Sequence, residues 1–115
     1  MEQWLQSGQR RFHIHEAFKN GIPKPLNDFE KATFDFCHDW LSGKESFTLH
    51  TSGSTGTPKS IAATRNQLKS SAHLTIEALG LKRNHTALVC LDTRYVAGVM
   101  MLVRSLEAVL NIILI

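Results

Sequence analysis

A chain of 115 residues with 43% hydrophobic content fits one small globular domain, not a disordered segment. Its formal charge of +3 is scattered along the sequence. There is no concentrated basic stripe of the kind nucleic-acid binders carry, so no nucleic-acid partner is expected.

The first 21 residues are mixed, with Trp4, Leu5, Phe12, Ile14 and Phe18 as apolar points and no long apolar core of a secretory signal. His13 and His15 alternate, so on a strand they would point the same way. No further Cys or His cluster lies near them, and a surface strand or loop is the preferred reading; no metal ligand is expected. Pro23 and Pro25 mark a linker. The chain therefore divides into an N-terminal segment with its linker, residues 1–26, and a domain from residue 27 to 115.

A helix is predicted from Asn27 or Asp28, both good caps, with Glu30 in its first turn. Phe29, Ala32, Phe36 and Trp40 recur at helical spacing, flanked by Thr33, Cys37 and Leu41, which makes one apolar face. Gly43 ends it. A strand is expected next over residues 46–49, with Phe47, Leu49 and Thr51 on one side, and a return strand over residues 60–63.

Between these strands lies Thr51-Ser52-Gly53-Ser54-Thr55-Gly56-Thr57-Pro58-Lys59. Glycines let a backbone bend back and approach a ligand closely. Successive N–H groups in such a bend form an anion-binding hollow. The hydroxyls add donors, Lys59 adds a mobile positive charge, and Pro58 fixes one backbone angle. A Ser/Thr/Gly/Pro cluster is usually only a loop; its placement between two strands, with a lysine where the second begins, favours a polyphosphate site. It is not the common phosphate loop of nucleotide hydrolases, because Pro58 precedes Lys59 and a strand comes next where that motif has a helix.

Thr64 to Gln67 reads as a capping box. The helix it opens turns Leu68, Ser71, Ala72, Thr75, Ile76 and Leu79 one way and ends at Gly80, with Leu81 packing back. Residues 86–91 form a continuous apolar run, as in a buried parallel strand. Asp92 or Thr93 caps a helix over residues 95–110, and residues 111–115 form the next strand, so a parallel crossover is expected. Arg104, Glu107 and Asn111 interrupt the apolar run after Tyr95, and charges at a membrane centre cost about 2.5–3.5 kcal/mol each; no membrane span is expected. Cys37 and Cys90 read as buried free thiols of a reducing compartment, although spacing alone leaves a disulfide between them open.

The loop from Thr51 to Lys59 resembles the signature loop of the adenylate-forming superfamily, which includes acyl-CoA synthetases, peptide-synthetase adenylation domains and luciferases. The later stretches Leu88-Val89-Cys90-Leu91 and Tyr95-Val96-Ala97-Gly98 are similar to that family in order, and in detail to its o-succinylbenzoate–CoA ligases of the menaquinone pathway. The resemblance runs from about residue 47 to 115. It implies an α/β fold: a partial N-terminal subdomain of an adenylate-forming enzyme, with strands and helices alternating in a mostly parallel sheet. It also implies a cytoplasmic ligase that uses ATP, Mg²⁺, a small-molecule carboxylic acid and coenzyme A. By that resemblance Ser52, Ser54, Thr55, Thr57 and Lys59 lie on phosphate oxygens, Gly53 and Gly56 permit close approach, and Thr51 closes the strand more than it binds. In the family an aromatic-histidine pair lines the acyl pocket before the glycine step. Arg94 and Tyr95 stand there in this chain, ahead of Gly98. Arg94 is then a candidate partner for a substrate carboxylate, against the alternative of a local cap or salt bridge.

The family's adenine- and ribose-binding motifs and its C-terminal catalytic lysine come later than residue 115, so no catalytic residue is assigned. The helix over residues 95–110 is apolar nearly all round and the chain stops within an apolar strand. The expectation is an inactive front part of a longer enzyme that self-associates when alone. The alternative is a small non-catalytic phosphate-binding or protein-interaction module.

Overall fold

The computed structural model describes residues 3–51, 56–57 and 59–115. Four strands make one sheet in the order β2-β1-β6-β5: β1 Trp4–Ser7, β2 Arg10–His13, β5 Thr86–Val89 and β6 Asn111–Leu114. β1 pairs antiparallel with β2, and β6 pairs parallel with both β1 and β5. The main sheet is therefore mostly parallel, as expected. A separate antiparallel pair, β3 Ser46–His50 with β4 Ser60–Thr64, carries the signature loop. The helices are α1 Ile14–Phe18, α2 Asp28–Leu41, α3 Arg65–Leu79 and α4 Val96–Glu107.

His13 lies exposed on the edge strand β2, as expected of a surface strand. β1 lies inside the main sheet, and Leu5, Ile14 and Phe18 belong to the same core as the residues after the linker. Gln3 secures the join. Its buried side-chain amide donates to the carbonyls of Ser105 and Leu110, while Trp4 N–H donates to Asn111 Oδ1 at 3.1 Å. These partners lie more than a hundred residues away in sequence, beyond what local pattern reading reaches.

Strand register sorts the side chains into rows. Leu5, Ile112 and Ala87 align, as do Ser7, Leu114 and Val89, and this face holds the buried residues. Gln6, Ile113 and Leu88 form the opposite row, where Leu88 is 53% exposed. The run 86–91 is thus not a strand buried on both faces. It is the sheet's edge, it ends at Val89, and Cys90 and Leu91 are exposed. Cys90 is a free, exposed thiol, whereas Cys37 is free and buried, its pKa pushed up to about 12 by desolvation.

α4 is the central helix. It packs against α2, α3, β3 and β5, and buries Val99, Met100, Leu102, Val103 and Leu106. It begins later than expected, with Tyr95 at the N-cap and no side-chain cap. It ends at Glu107 because Val109 turns to φ 57°, letting Leu110 N–H donate to Ser105 O at 2.8 Å.

The ends of α2 and α3 obey their local signals. Asn27 Oδ1 accepts from Glu30 N–H at 2.8 Å. Thr64 and Gln67 form the reciprocal capping box. Gly80 is left-handed at φ 63°, and Leu81 N–H reaches Ile76 O at 3.1 Å. The buried face of α3 is narrower than expected: Leu68 and Ala72 are buried, but Leu79 is 68% exposed. The α2 face is broader, and adds Phe34 and Glu30.

Candidate functional site

The signature loop is the tip of a hairpin whose base is firmly seated. Phe47 and Leu49 are buried while Thr48 and His50 face out, the alternation a half-buried strand requires. Phe47 meets the rings of Phe36 at 5.4 Å and Trp40 at 5.7 Å. Burying such a side chain is worth about 1.5–3 kcal/mol.

Arg65, at the start of α3, clamps the same base from the other side. Its backbone N–H donates to Glu45 O at 2.8 Å, its Nε to Lys44 O at 2.9 Å and an Nη to Trp40 O at 2.6 Å. Its guanidinium lies 4.1 Å from the Trp40 ring centroid. Nothing local in the sequence marks Arg65 for this, because its partners lie on the loop after α2 and on α2 itself.

Beyond His50 and Ser60 the two chains stay joined for one more step. Thr51 N–H donates to Lys59 O at 2.9 Å, and Lys59 N–H donates to the Thr51 hydroxyl at 3.2 Å. Thr51 therefore closes the hairpin through both its backbone and its side chain. Gly56, Thr57 and Lys59 are exposed, and Gly56 has φ 94°, a left-handed value suited to glycine. Ser52, Gly53, Ser54 and Thr55, with Pro58, lie outside the described residues.

The second group of candidates forms one compact turn between β5 and α4. Arg94 N–H donates to Asp92 Oδ1 at 2.9 Å, and the guanidinium grips both carboxylate oxygens at 2.8–3.2 Å. Hydrogen bonding to Arg94, then its charge, holds the Asp92 carboxyl below the usual carboxylate range and raises the arginine in turn. Tyr95 N–H donates to Asp92 O at 3.2 Å. The local salt bridge is thus the state of Arg94, yet its side chain is 58% exposed and borders a cavity of about 320 Å³ with Phe29, Cys90, Asp92 and Ile115.

Gly98 does not line that cavity. It is buried beneath the turn, where an added Cβ would sit 2.3 Å from Asp92 O and 2.8 Å from Thr93 Cα. Its want of a side chain lets α4 approach the turn that carries Arg94. Among the described residues no hydrogen bond or ion pair links this turn to the signature loop.

Pattern reading missed an ion cluster at the far side of the same sheet end. Glu30, 4% exposed, accepts from Arg10 at 2.5 Å, from Leu26 N–H at 2.8 Å and from the Ser7 hydroxyl. Burial alone would raise its pKa; the Ser7 and Leu26 hydrogen bonds and the Arg10 charge outweigh it and hold the carboxyl below its ordinary value. Among the described residues no group of three or more His, Cys, Asp or Glu side chains is placed to hold a metal ion. No helix among them is long and apolar enough to cross a membrane.

No protein-family model and no curated protein matches the chain. It is similar to a solved structure, the acyl-CoA synthetase (AMP-forming)/AMP-acid ligase II-like protein from Dyadobacter fermentans DSM 18053, at 47% identity and a TM-score of 0.74. The match covers 79% of this chain and 26% of the other, so the chain spans about a quarter of that protein's length. The likeness supports the adenylate-forming superfamily.

Proposed function

We propose that this chain is the phosphate-loop part of an adenylate-forming acid–CoA ligase acting in the cytoplasm. The observation that carries the reading is the sequence of the nine-residue stretch from Thr51 to Lys59, between the paired strands β3 and β4, in a chain 47% identical to an AMP-forming synthetase-like protein. In the complete enzyme a substrate carboxylate oxygen attacks the α-phosphorus of ATP. The bond to the bridging oxygen breaks, giving acyl-AMP and pyrophosphate. The thiol of coenzyme A then attacks the acyl carbon, loses its proton and releases AMP.

In this reading Ser52, Ser54, Thr55, Thr57 and Lys59 meet the β- and γ-phosphate oxygens, and Gly53 and Gly56 let the backbone approach. Positioning and charge stabilisation carry most of the rate in phosphoryl chemistry. Mg²⁺ shields phosphate charge when bound.

Arg94 is the candidate partner for a second carboxylate on the acid, which suits o-succinylbenzoate, an aromatic dicarboxylate. Its exposure beside the cavity supports this; its grip on Asp92 means that a substrate carboxylate must share or displace that partner. Tyr95 stands on the same turn as a candidate wall of the acid site. Gly98, the third candidate for the acid site, contributes through the backbone, by admitting the turn that carries Arg94.

The test is carboxylate-dependent exchange of labelled pyrophosphate into ATP by the complete enzyme. The expected result is exchange with o-succinylbenzoate and none from the 115-residue chain alone. Exchange only with monocarboxylic acids overturns the substrate, and exchange with no acid overturns the reaction.

A further inference from the structure

We infer that Thr33, on α2, is a positioning residue for the acid-recognition turn, acting through Thr93; this rests on the proposed role of Arg94 in binding the acid. Thr33 is fully buried and Thr93 is 4% exposed. Their hydroxyl oxygens lie 2.8 Å apart, across sixty residues of sequence. Thr33 Oγ1 also donates to Phe29 O at 2.8 Å. A hydroxyl has one proton to give. With that of Thr33 spent on Phe29 O, Thr93 is the donor and Thr33 the acceptor between them.

The turn is thereby fixed from two directions. Gly98 lies beneath Asp92 and Thr93, and Thr33 holds Thr93 from the side. Arg94 comes directly after, with its backbone N–H and its guanidinium both on Asp92. A buried pair of hydroxyls excluded from solvent gains nothing by touching a ligand. Its effect is to set where the next side chain starts. Without the Thr33 acceptor, Thr93 keeps a buried donor unsatisfied, and the turn shifts to find water or a carbonyl.

The experiment compares Thr33→Val and Thr33→Ser in the complete enzyme, by pyrophosphate exchange with the acid and ATP varied separately. Thr33→Val should raise KM for the acid roughly tenfold, the equivalent of about 1.4 kcal/mol, and leave KM for ATP within about twofold. Thr33→Ser keeps the hydroxyl and should restore the acid KM. Parallel rises in both KM values, an unchanged acid KM in Thr33→Val, or a raised one in Thr33→Ser overturns the inference. Arg94→Ala separates the two failures. If it raises the acid KM while Thr33→Val does not, only the positioning role falls. If it leaves the acid KM unchanged, the turn is not at the acid site and both readings fall together.

Discussion

Gly98 shows how one missing methyl group sets the geometry of a turn. The nearest atoms to its would-be Cβ are backbone atoms of Asp92 and Thr93, which cannot swing aside as a flexible side chain can. Gly98→Ala should therefore cost about 3 kcal/mol, the upper end of what overpacking a tight site costs. A urea midpoint unchanged from the parent would mean that α4 slides without penalty. The glycine stands out in the sequence, but the reason for it does not: the Tyr95 to Gly98 step suggests a pocket wall, and the atoms it accommodates are six and five residues upstream. Glu30 and Thr33 carry the same lesson. Both are visible as residues of a helical face, while their partners Arg10, Ser7 and Thr93 are 20 to 60 residues distant and leave no local trace.

The hairpin that bears the signature loop depends on α3 as much as on its own strands. β4 is mostly exposed, so its hold on the core comes through β3 and through Arg65. Arg65→Ala removes two charge-assisted hydrogen bonds and a ring contact. It should speed hydrogen exchange of the β3 amides about tenfold, equal to about 1.4 kcal/mol of local opening. The amides of β1 and β6 should keep their protection, and equal loss in both sheets would contradict the clamp. At this scale the ends of α2 and α3 are readable because Asn27, Thr64, Gln67 and Gly80 act within a few residues of themselves. The edge position of β5 is not, since an apolar run of six residues has the same composition at the rim of a sheet as in its centre.

Two carboxyls with depressed pKa values give the whole molecule an acid dependence. A carboxyl lowered on folding contributes stability above its unfolded pKa, about 4, and loses that contribution as pH falls through its folded value. Glu30 dominates, being buried and hydrogen-bonded from three sides; Asp92, on the surface, adds little. The denaturation midpoint should hold steady from neutral pH towards 5 and fall below about 4. Glu30→Gln should lower stability at pH 7 by about 2 kcal/mol and flatten that acid limb. A limb as steep in the variant as in the parent would place the sensitive group elsewhere.

The pairing of Leu5 with Ile112 also governs when the fold can be completed. β3 and β4 meet soon after they are made, since Leu49 faces Ile61. β1 must instead keep one side unpaired until β6 leaves the ribosome, a wait of roughly 5–20 s at ordinary elongation rates. Early pairing with β2 protects only its other side. During that interval the nascent chain offers an open strand to any neighbour, which makes the opening residues the stretch that most needs shelter during synthesis.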